Sequence, residues 1–262
     1  MSPVGVALMR RNPDPLPDAT LDPMSDSRIE LEASENHEWL LGEFVRLLLR
    51  QRPDSVLDVG CGAGLLLKAC HRNGIETIGV DQPGPRLDAL REEGFDVREG
   101  TAYSLAFEDR SVDWVTMRHV PHHLEDPARA FAEALRVSRE GLIVAEPYFD
   151  PSLPSQRTAI ALDRWEKGQH RRRGMYHAEV IDLGPLLDLM PEGYESRFRI
   201  ETQRSLRLRR RSIADFQRDA EALLADLPES RTERDSLAGL LVELEESGLT
   251  WNGSLCVCLR RR

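Results

Sequence analysis

From Ser34 the apolar residues Trp39, Leu40, Leu41, Phe44, Val45, Leu47 and Leu48 return at intervals of three and four, and Pro53 closes the stretch. That spacing gathers them on one face of an α-helix. Five short apolar runs follow at Ser55–Val59, Thr77–Asp81, Asp96–Gly100, Val112–Arg118 and Leu142–Pro147. Helical stretches separate them. Leu65–Asn73 stops on Gly74 and Arg86–Glu93 on Gly94, each a good left-handed C-terminal stop. A third helix opens at Asp126-Pro127, with the aspartate as cap and the proline at the first helical position. Strands that are almost continuously apolar, alternating with helices, predict an α/β protein with a parallel sheet covered on both faces.

Beyond Pro147 the rhythm changes. Residues 151–191 read as two helices around an Arg171-Arg172-Arg173-Gly174 turn, 194–210 as an extended strand, and 213–226 and 229–247 as helices parted near Pro228. The chain closes on Ser254–Leu259, where Leu255, Val257 and Leu259 alternate with Cys256 and Cys258. At the other end, residues 1–27 carry Pro3, Pro13, Pro15, Pro17 and Pro23 with little apolar periodicity, and are expected to form a flexible arm. The resulting division is an arm (1–27), an α/β core (28–150) and a lobe (151–262) that holds the 213–247 helices as an insertion.

Composition narrows the classes. The 262 residues hold 40% hydrophobic and 31% charged side chains, a soluble globular balance. The densest apolar run, Leu47–Leu49, lies between arginines and is far short of the ~18 residues a membrane helix needs. Arg10-Arg11 is followed by Asn12-Pro13-Asp14-Pro15 and not by an apolar segment, so no leader is expected. Four cysteines (Cys61, Cys70, Cys256, Cys258) lack the paired spacing of a zinc site; no metal ligands are assigned, and a reducing cytoplasm is the expected home. The net charge of −10 argues against nucleic acid as partner. Lys68 and Lys167 are the two lysines among 35 basic residues, so arginine clusters reflect a chain-wide bias more than a site.

The strongest local signal is Val56-Leu57-Asp58-Val59-Gly60-Cys61-Gly62-Ala63-Gly64, a buried strand running into a glycine turn that opens a helix. Glycines there let backbone approach a ligand, and the helix start offers free N–H donors. The spacing is G-x-G-x-G, not the G-x-G-x-x-G of dinucleotide sites, which disfavours a nicotinamide or nucleotide-sugar enzyme. Asp58, just before the loop, would repel a pyrophosphate but suits a ligand that bears an ammonium group. Asp81 ends the second strand 17 residues after Gly64, where a carboxylate can accept both hydroxyls of a ribose.

These residues, with Gly100-Thr101-Ala102-Tyr103, Phe107–Val115, Val120-Pro121-His122-His123-Leu124-Glu125-Asp126-Pro127, Ala134–Val137 and Gly141–Val144, resemble class I S-adenosylmethionine-dependent methyltransferases, and within them the broad type 11 small-molecule group. The likeness covers about residues 35–150. It implies a Rossmann-like doubly wound sheet whose antiparallel last strand is inserted beside a sixth, a pair that Ser254–Leu259 and the 194–210 strand can supply. It also implies S-adenosylmethionine as cofactor and S-adenosylhomocysteine as product. Asp58, Gly60, Cys61, Gly62 and Gly64 would then face the methionine part, Asp81 the ribose, Gln82, Thr101 and Ala102 the adenine. Arg118 and His119 would lie between cofactor and acceptor.

Methyl transfer from a sulfonium needs mainly close alignment, and a base only where the acceptor must lose a proton. His119 is the first candidate base, because it follows the fourth strand at the carboxyl end of the sheet. Glu146, at the end of the fifth strand, is the second catalytic candidate, able to orient an amine or hydroxyl. His123, Tyr148, Tyr176 and His177 are candidate acceptor contacts; His122 and His170 have a simpler explanation as caps. The acceptor is expected to be a small molecule methylated on oxygen or nitrogen, or on carbon, by a monomer or homodimer. Two alternatives stand: a cofactor-binding regulator without turnover, and an RNA methyltransferase. The second is disfavoured because Met117-Arg118-His119-Val120 replaces the Asp/Asn-Pro-Pro-aromatic tetrad.

Overall fold

The computed structural model describes residues 27–225 and 231–262, with side chains from residue 35 onward. The arm expected over 1–27 lies outside the described residues except for Ser27, which opens α1 (Ser27–Arg50), so this helix starts ahead of Ser34. The core then alternates β1 (Ser55–Val59), α2 (Leu65–Arg72), β2 (Glu76–Asp81), α3 (Pro85–Glu92), β3 (Val97–Glu99), β4 (Val112–Arg118), α4 (Pro127–Val137) and β5 (Ser138–Tyr148). Next come α5 (Pro154–Arg172), α6 (Leu183–Asp188), α7 (Tyr194–Arg197), β6 (Phe198–Ser205), α8 (Ile213–Ala225), α9 (Arg231–Ser247) and β7 (Gly253–Arg261).

All seven strands join one sheet in the order β3-β2-β1-β4-β5-β7-β6. β1 to β5 run parallel, and β7 is antiparallel to both of its neighbours, with Val144 opposite Val257 and Thr202 opposite Val257 on the far side. The Rossmann-like doubly wound sheet with an inserted antiparallel last strand is therefore present.

Period-two alternation sorts the strands' side chains onto two cores. Leu57, Val115, Leu142, Val144 and Val257 pack on one face with Phe131 and Ala134 of α4. Val56, Trp114, Ile143, Cys256 and Cys258 pack on the other with Phe44, Leu47 and Leu48 of α1 and Cys70 of α2. All four cysteines are free and buried. Asp126 caps α4, its Oδ1 accepting from the Arg129 N–H at 3.1 Å, with Pro127 at the first helical position. Removing an N-cap costs about 1 kcal/mol. Asp126→Ala should accordingly lower the midpoint of thermal unfolding by about 2–4 °C; an unchanged melting curve would show that the cap is replaced.

Three elements differ from expectation. The strand expected over 194–210 is shorter because left-handed Gly193 (φ 70°) starts α7 in front of it. After α5 the chain turns at Gly174 (φ 78°) and runs without regular structure to Asp182. The second helix of that region is thus only α6, which stops at Leu189 shortly before Pro191. The fifth strand is longer than its apolar run, because Ser138 pairs with Val112 of β4 ahead of a register shift, after which pairing resumes at Gly141 opposite Trp114.

Helices α8 and α9 lie between β6 and β7 in the chain. Their apolar faces pack on α5, burying Leu162, Trp165, Phe216, Ala220, Leu224, Leu237 and Leu244 together. Arginines knit this lobe and its borders. Arg171 donates to the His177 carbonyl at 2.6 Å and pairs with Glu179, Arg209 pairs with Glu35, and the Arg211 guanidinium lies 4.6 Å over Trp251. Among the described residues no helix is long and apolar enough to cross a membrane.

Candidate active site

At the carboxyl end of β1 the chain passes through three left-handed glycines, Gly60, Gly62 and Gly64 (φ 72°, 55° and 71°). Their roles differ. A Cβ on Gly60 would come within 2.4 Å of Val120, and one on Gly64 within 2.4 Å of Leu90, so these two allow the protein to pack against itself. A Cβ on Gly62 would meet nothing within 4 Å: this is the glycine that leaves room for a ligand. Its N–H donates to Asp81 Oδ2 at 2.6 Å, while Asp81 Oδ1 accepts from the Gln82 N–H at 2.7 Å. Asp81 thus clamps the loop to the end of β2 and keeps lone pairs for a further donor.

A cavity of about 370 Å³ opens there, above β1, β2 and β4. It is lined by Gly60, Gly62, Asp81, Gln82, Thr101, Ala102, His119 and His123 among the residues singled out from sequence. Val59, Val80, Arg86, Gly100, Tyr103, Val120 and Leu124 complete the lining. An open sheet binds ligands in this position, outside the carboxyl ends of its parallel strands.

Asp58, Cys61, Gly64 and Arg118 do not line the cavity. Cys61 turns its thiol into a small core with Leu67, Leu87, Leu90 and Val97, and burial pushes that thiol up to about 12. Asp58 is buried under the loop and accepts from Thr116 Oγ1 at 2.9 Å. Burial raises its carboxyl to about 6, against the opposing hydrogen bond from Thr116 and the positive charge of Arg118.

His119 combines several departures from the ordinary. It is a non-glycine residue in the left-handed region (φ 57°), and its N–H donates to the Ala145 carbonyl at 2.7 Å. Burial and the adjacent Arg118 hold its imidazole well below the usual range, so it is neutral at physiological pH. A strained backbone at a cleft-lining residue is a recurring mark of function.

Glu146 lies elsewhere than expected. It is fully buried, and both its oxygens lie against His122 Nδ1, at 2.9 and 3.0 Å. Neither residue is a simple cap or a cleft contact; they form a buried pair. Tyr148 sits apart from the cofactor cavity, beside a separate hollow of about 280 Å³ lined also by Phe149, Ile160, Asp163 and Arg164. The Tyr176 side chain is exposed. His177 is brought to His123, with ring centres 4.3 Å apart, and its Nδ1 lies 2.8 Å from His170 Nδ1. Sequence reasoning missed Arg86, Val120 and the pairing of His122 with Glu146. The last has no local signal, since it depends on the ends of β4 and β5 lying side by side.

Residues 57–145, which hold the loop, Asp81, His119 and His123, match the family described as "Methyltransferase domain". Over that stretch, about a third of its length, the chain is similar to a methyltransferase domain. The chain is 37% identical over 93 residues to a ubiquinone biosynthesis O-methyltransferase of Hahella chejuensis, covering 33% of this chain and 39% of that one. It is 31% identical over 151 residues to the uncharacterized methyltransferase YcgJ of Bacillus subtilis, covering 55% and 57%. The matched stretches span from about two fifths to little more than half of the length of these curated relatives. The fold extends further. The crystal structure of YcgJ is similar over 86% of this chain and 99% of that one, at 20% identity and a TM-score of 0.55. A SAM-dependent methyltransferase from Archaeoglobus fulgidus is similar over 90% and 100%, at 16% identity and a TM-score of 0.55. The family match ends within β5, whereas the fold likeness covers 86–90% of the chain.

Proposed function

We propose that this chain transfers a methyl group from S-adenosylmethionine to an oxygen or nitrogen of a small-molecule acceptor. The carrying observation is the cavity in which Gly62 presents open space, Asp81 presents a carboxylate, and neutral His119 stands at the rim. Bound there, the cofactor supplies an activated methyl group. The chain supplies the rest: Asp81 accepts the ribose hydroxyls, Ala102 and Thr101 flank the adenine, and the left-handed turn brings backbone against the ligand. His119, with its ring neutral, can take a proton from an acceptor hydroxyl or ammonium. Likeness to the ubiquinone biosynthesis O-methyltransferase of Hahella chejuensis supports oxygen as one acceptor atom, and the lobe built from α5, α8 and α9 is proposed to shape the acceptor pocket.

The experiment is a calorimetric titration with S-adenosylhomocysteine, followed by measurement of its release from S-adenosylmethionine with mixed small phenols, amines and carboxylates as acceptors. Gly62→Ala places a methyl group in the cofactor's path and a non-glycine residue at φ 55°. It should weaken binding at least about tenfold, near 1.4 kcal/mol, while backbone strain takes roughly 1–2 kcal/mol from stability. Failure of the wild type to bind S-adenosylhomocysteine would end the proposal. Binding without release under any acceptor would favour the silent regulator.

A further inference from the structure

Four histidines gather beside the cofactor cavity, which His123 also lines. His122 and His123 come from the short helical turn after β4, His170 from the end of α5, and His177 from the irregular stretch before α6. One ligand atom each from His122, His123 and His177 lies within 4.8 Å of the others. Every one of these three rings has a nitrogen already engaged by a neighbour. His122 Nδ1 meets the fully buried Glu146 carboxylate, His177 Nδ1 meets His170 Nδ1, and a ring N–H of His123 donates to the main-chain carbonyl of Tyr176. Metal-binding histidines are held in this way, one nitrogen fixed by a carboxylate or carbonyl so that the other is aimed and more basic.

We propose that His122, His123 and His177 bind a divalent transition-metal cation, with Zn²⁺ the best match to three imidazoles and an open fourth position. The surroundings tolerate the charge. Glu146 places a buried carboxylate directly behind His122, and the one lysine nearby, Lys167, is paired with Asp163 at 2.9 Å. His123 is exposed and also lines the cofactor cavity, so the open position lies at the border of the cleft. Use of the site to hold an acceptor oxygen or nitrogen rests on the methyl-transfer reading; the existence of the site does not.

The test uses the full chain after chelator treatment, titrated with Zn²⁺ by calorimetry. One equivalent should bind, and excess Mg²⁺, which prefers oxygen ligands, should not displace it. His177→Ala and His123→Asn should each abolish stoichiometric binding, and Glu146→Gln should weaken it about tenfold to hundredfold. The visible spectrum of the Co²⁺-loaded protein, absent in both histidine variants, reports the nitrogen ligands directly. His123 is exposed, so His123→Asn decides the matter even where His177→Ala disturbs the fold. Absence of saturable binding to the wild type, or histidine variants that titrate like it, would overturn the proposal. A parallel S-adenosylhomocysteine titration separates this outcome from failure of the methyl-transfer reading.

Discussion

Asp81→Ala should lower the affinity for S-adenosylhomocysteine roughly a hundredfold to a thousandfold, the largest loss expected of any single change in the cofactor cavity. Two effects add. The proposed ribose contact is a pair of charge-assisted hydrogen bonds, each worth about 1.5–3 kcal/mol. The same carboxylate accepts the N–H of Gly62 and of Gln82 at 2.6 and 2.7 Å, so its removal also frees the loop that faces the ligand. Asp81→Asn separates the two effects. The amide keeps the shape and one acceptor but turns an NH₂ group toward either a loop N–H or a ribose hydroxyl, and should fall between wild type and alanine. Calorimetry with S-adenosylhomocysteine and, as control, adenine alone checks both: adenine binding should change little. A loss under about fivefold, near 1 kcal/mol, would mean that Asp81 serves the loop and not the ribose.

The same carboxylate shows why this half of the molecule was legible. Strand, glycine turn, helix, strand and terminal aspartate are consecutive, and each piece is fixed by local chemistry: period-two burial, left-handed glycines, a cap at Asp126. Local rules therefore placed Gly60, Gly62 and Asp81 together, and the family resemblance added Ala102; all four line one cavity. They did not divide the labour among the glycines. Whether a Cβ would strike Val120, Leu90 or open space depends on residues tens of positions away. The same limit applies to Cys61. A residue between two loop glycines looks like a ligand contact, yet the turn points its thiol back at Gly79 and Leu67.

Beyond Pro147 the limit is more severe. His122, Glu146 and His177 are separated by long stretches, and they meet because β4 lies beside β5 and the segment after α5 folds back over the strand ends. No spacing rule reports a cluster assembled from three such places. Glu146 in particular reads as a cleft residue, since it ends a strand at the carboxyl edge of the sheet. What the pattern leaves open is the face on which it lies, and here it is the inner one, where a carboxylate needs a partner and His122 supplies it. The arginine bias, conversely, was informative as a negative. Arg171, Arg209 and Arg211 are spent on carbonyls, carboxylates and aromatic rings of the lobe itself.

Asp58 gives the second large expected effect, one of pH. Its carboxyl is raised from 3.8 to about 6, chiefly by burial, so the folded protein holds a proton that the unfolded chain has already lost. Between those values the native state binds more protons than the unfolded one, and stability therefore falls as pH rises. The contribution is complete below about pH 4 and lost above about pH 6, and two pKa units correspond to roughly 3 kcal/mol. Asp58→Asn mimics the protonated form and keeps an oxygen to accept from Thr116. It should raise the unfolding midpoint at pH 7 to 8, leave it unchanged near pH 4, and flatten the profile between. A wild-type profile that already lacks this slope would refute the assignment. Cofactor affinity then tells what the buried charge is for. If Asp58 meets the ammonium group of the cofactor, the ion pair forms only once the carboxyl has ionised. Wild-type affinity for S-adenosylhomocysteine should then climb up to about tenfold per pH unit toward pH 6 and level off, and Asp58→Asn should lose it above pH 6 alone. A variant that is more stable and binds as well as wild type at pH 7.5 would instead make Asp58 a partner of Thr116 and Arg118 only.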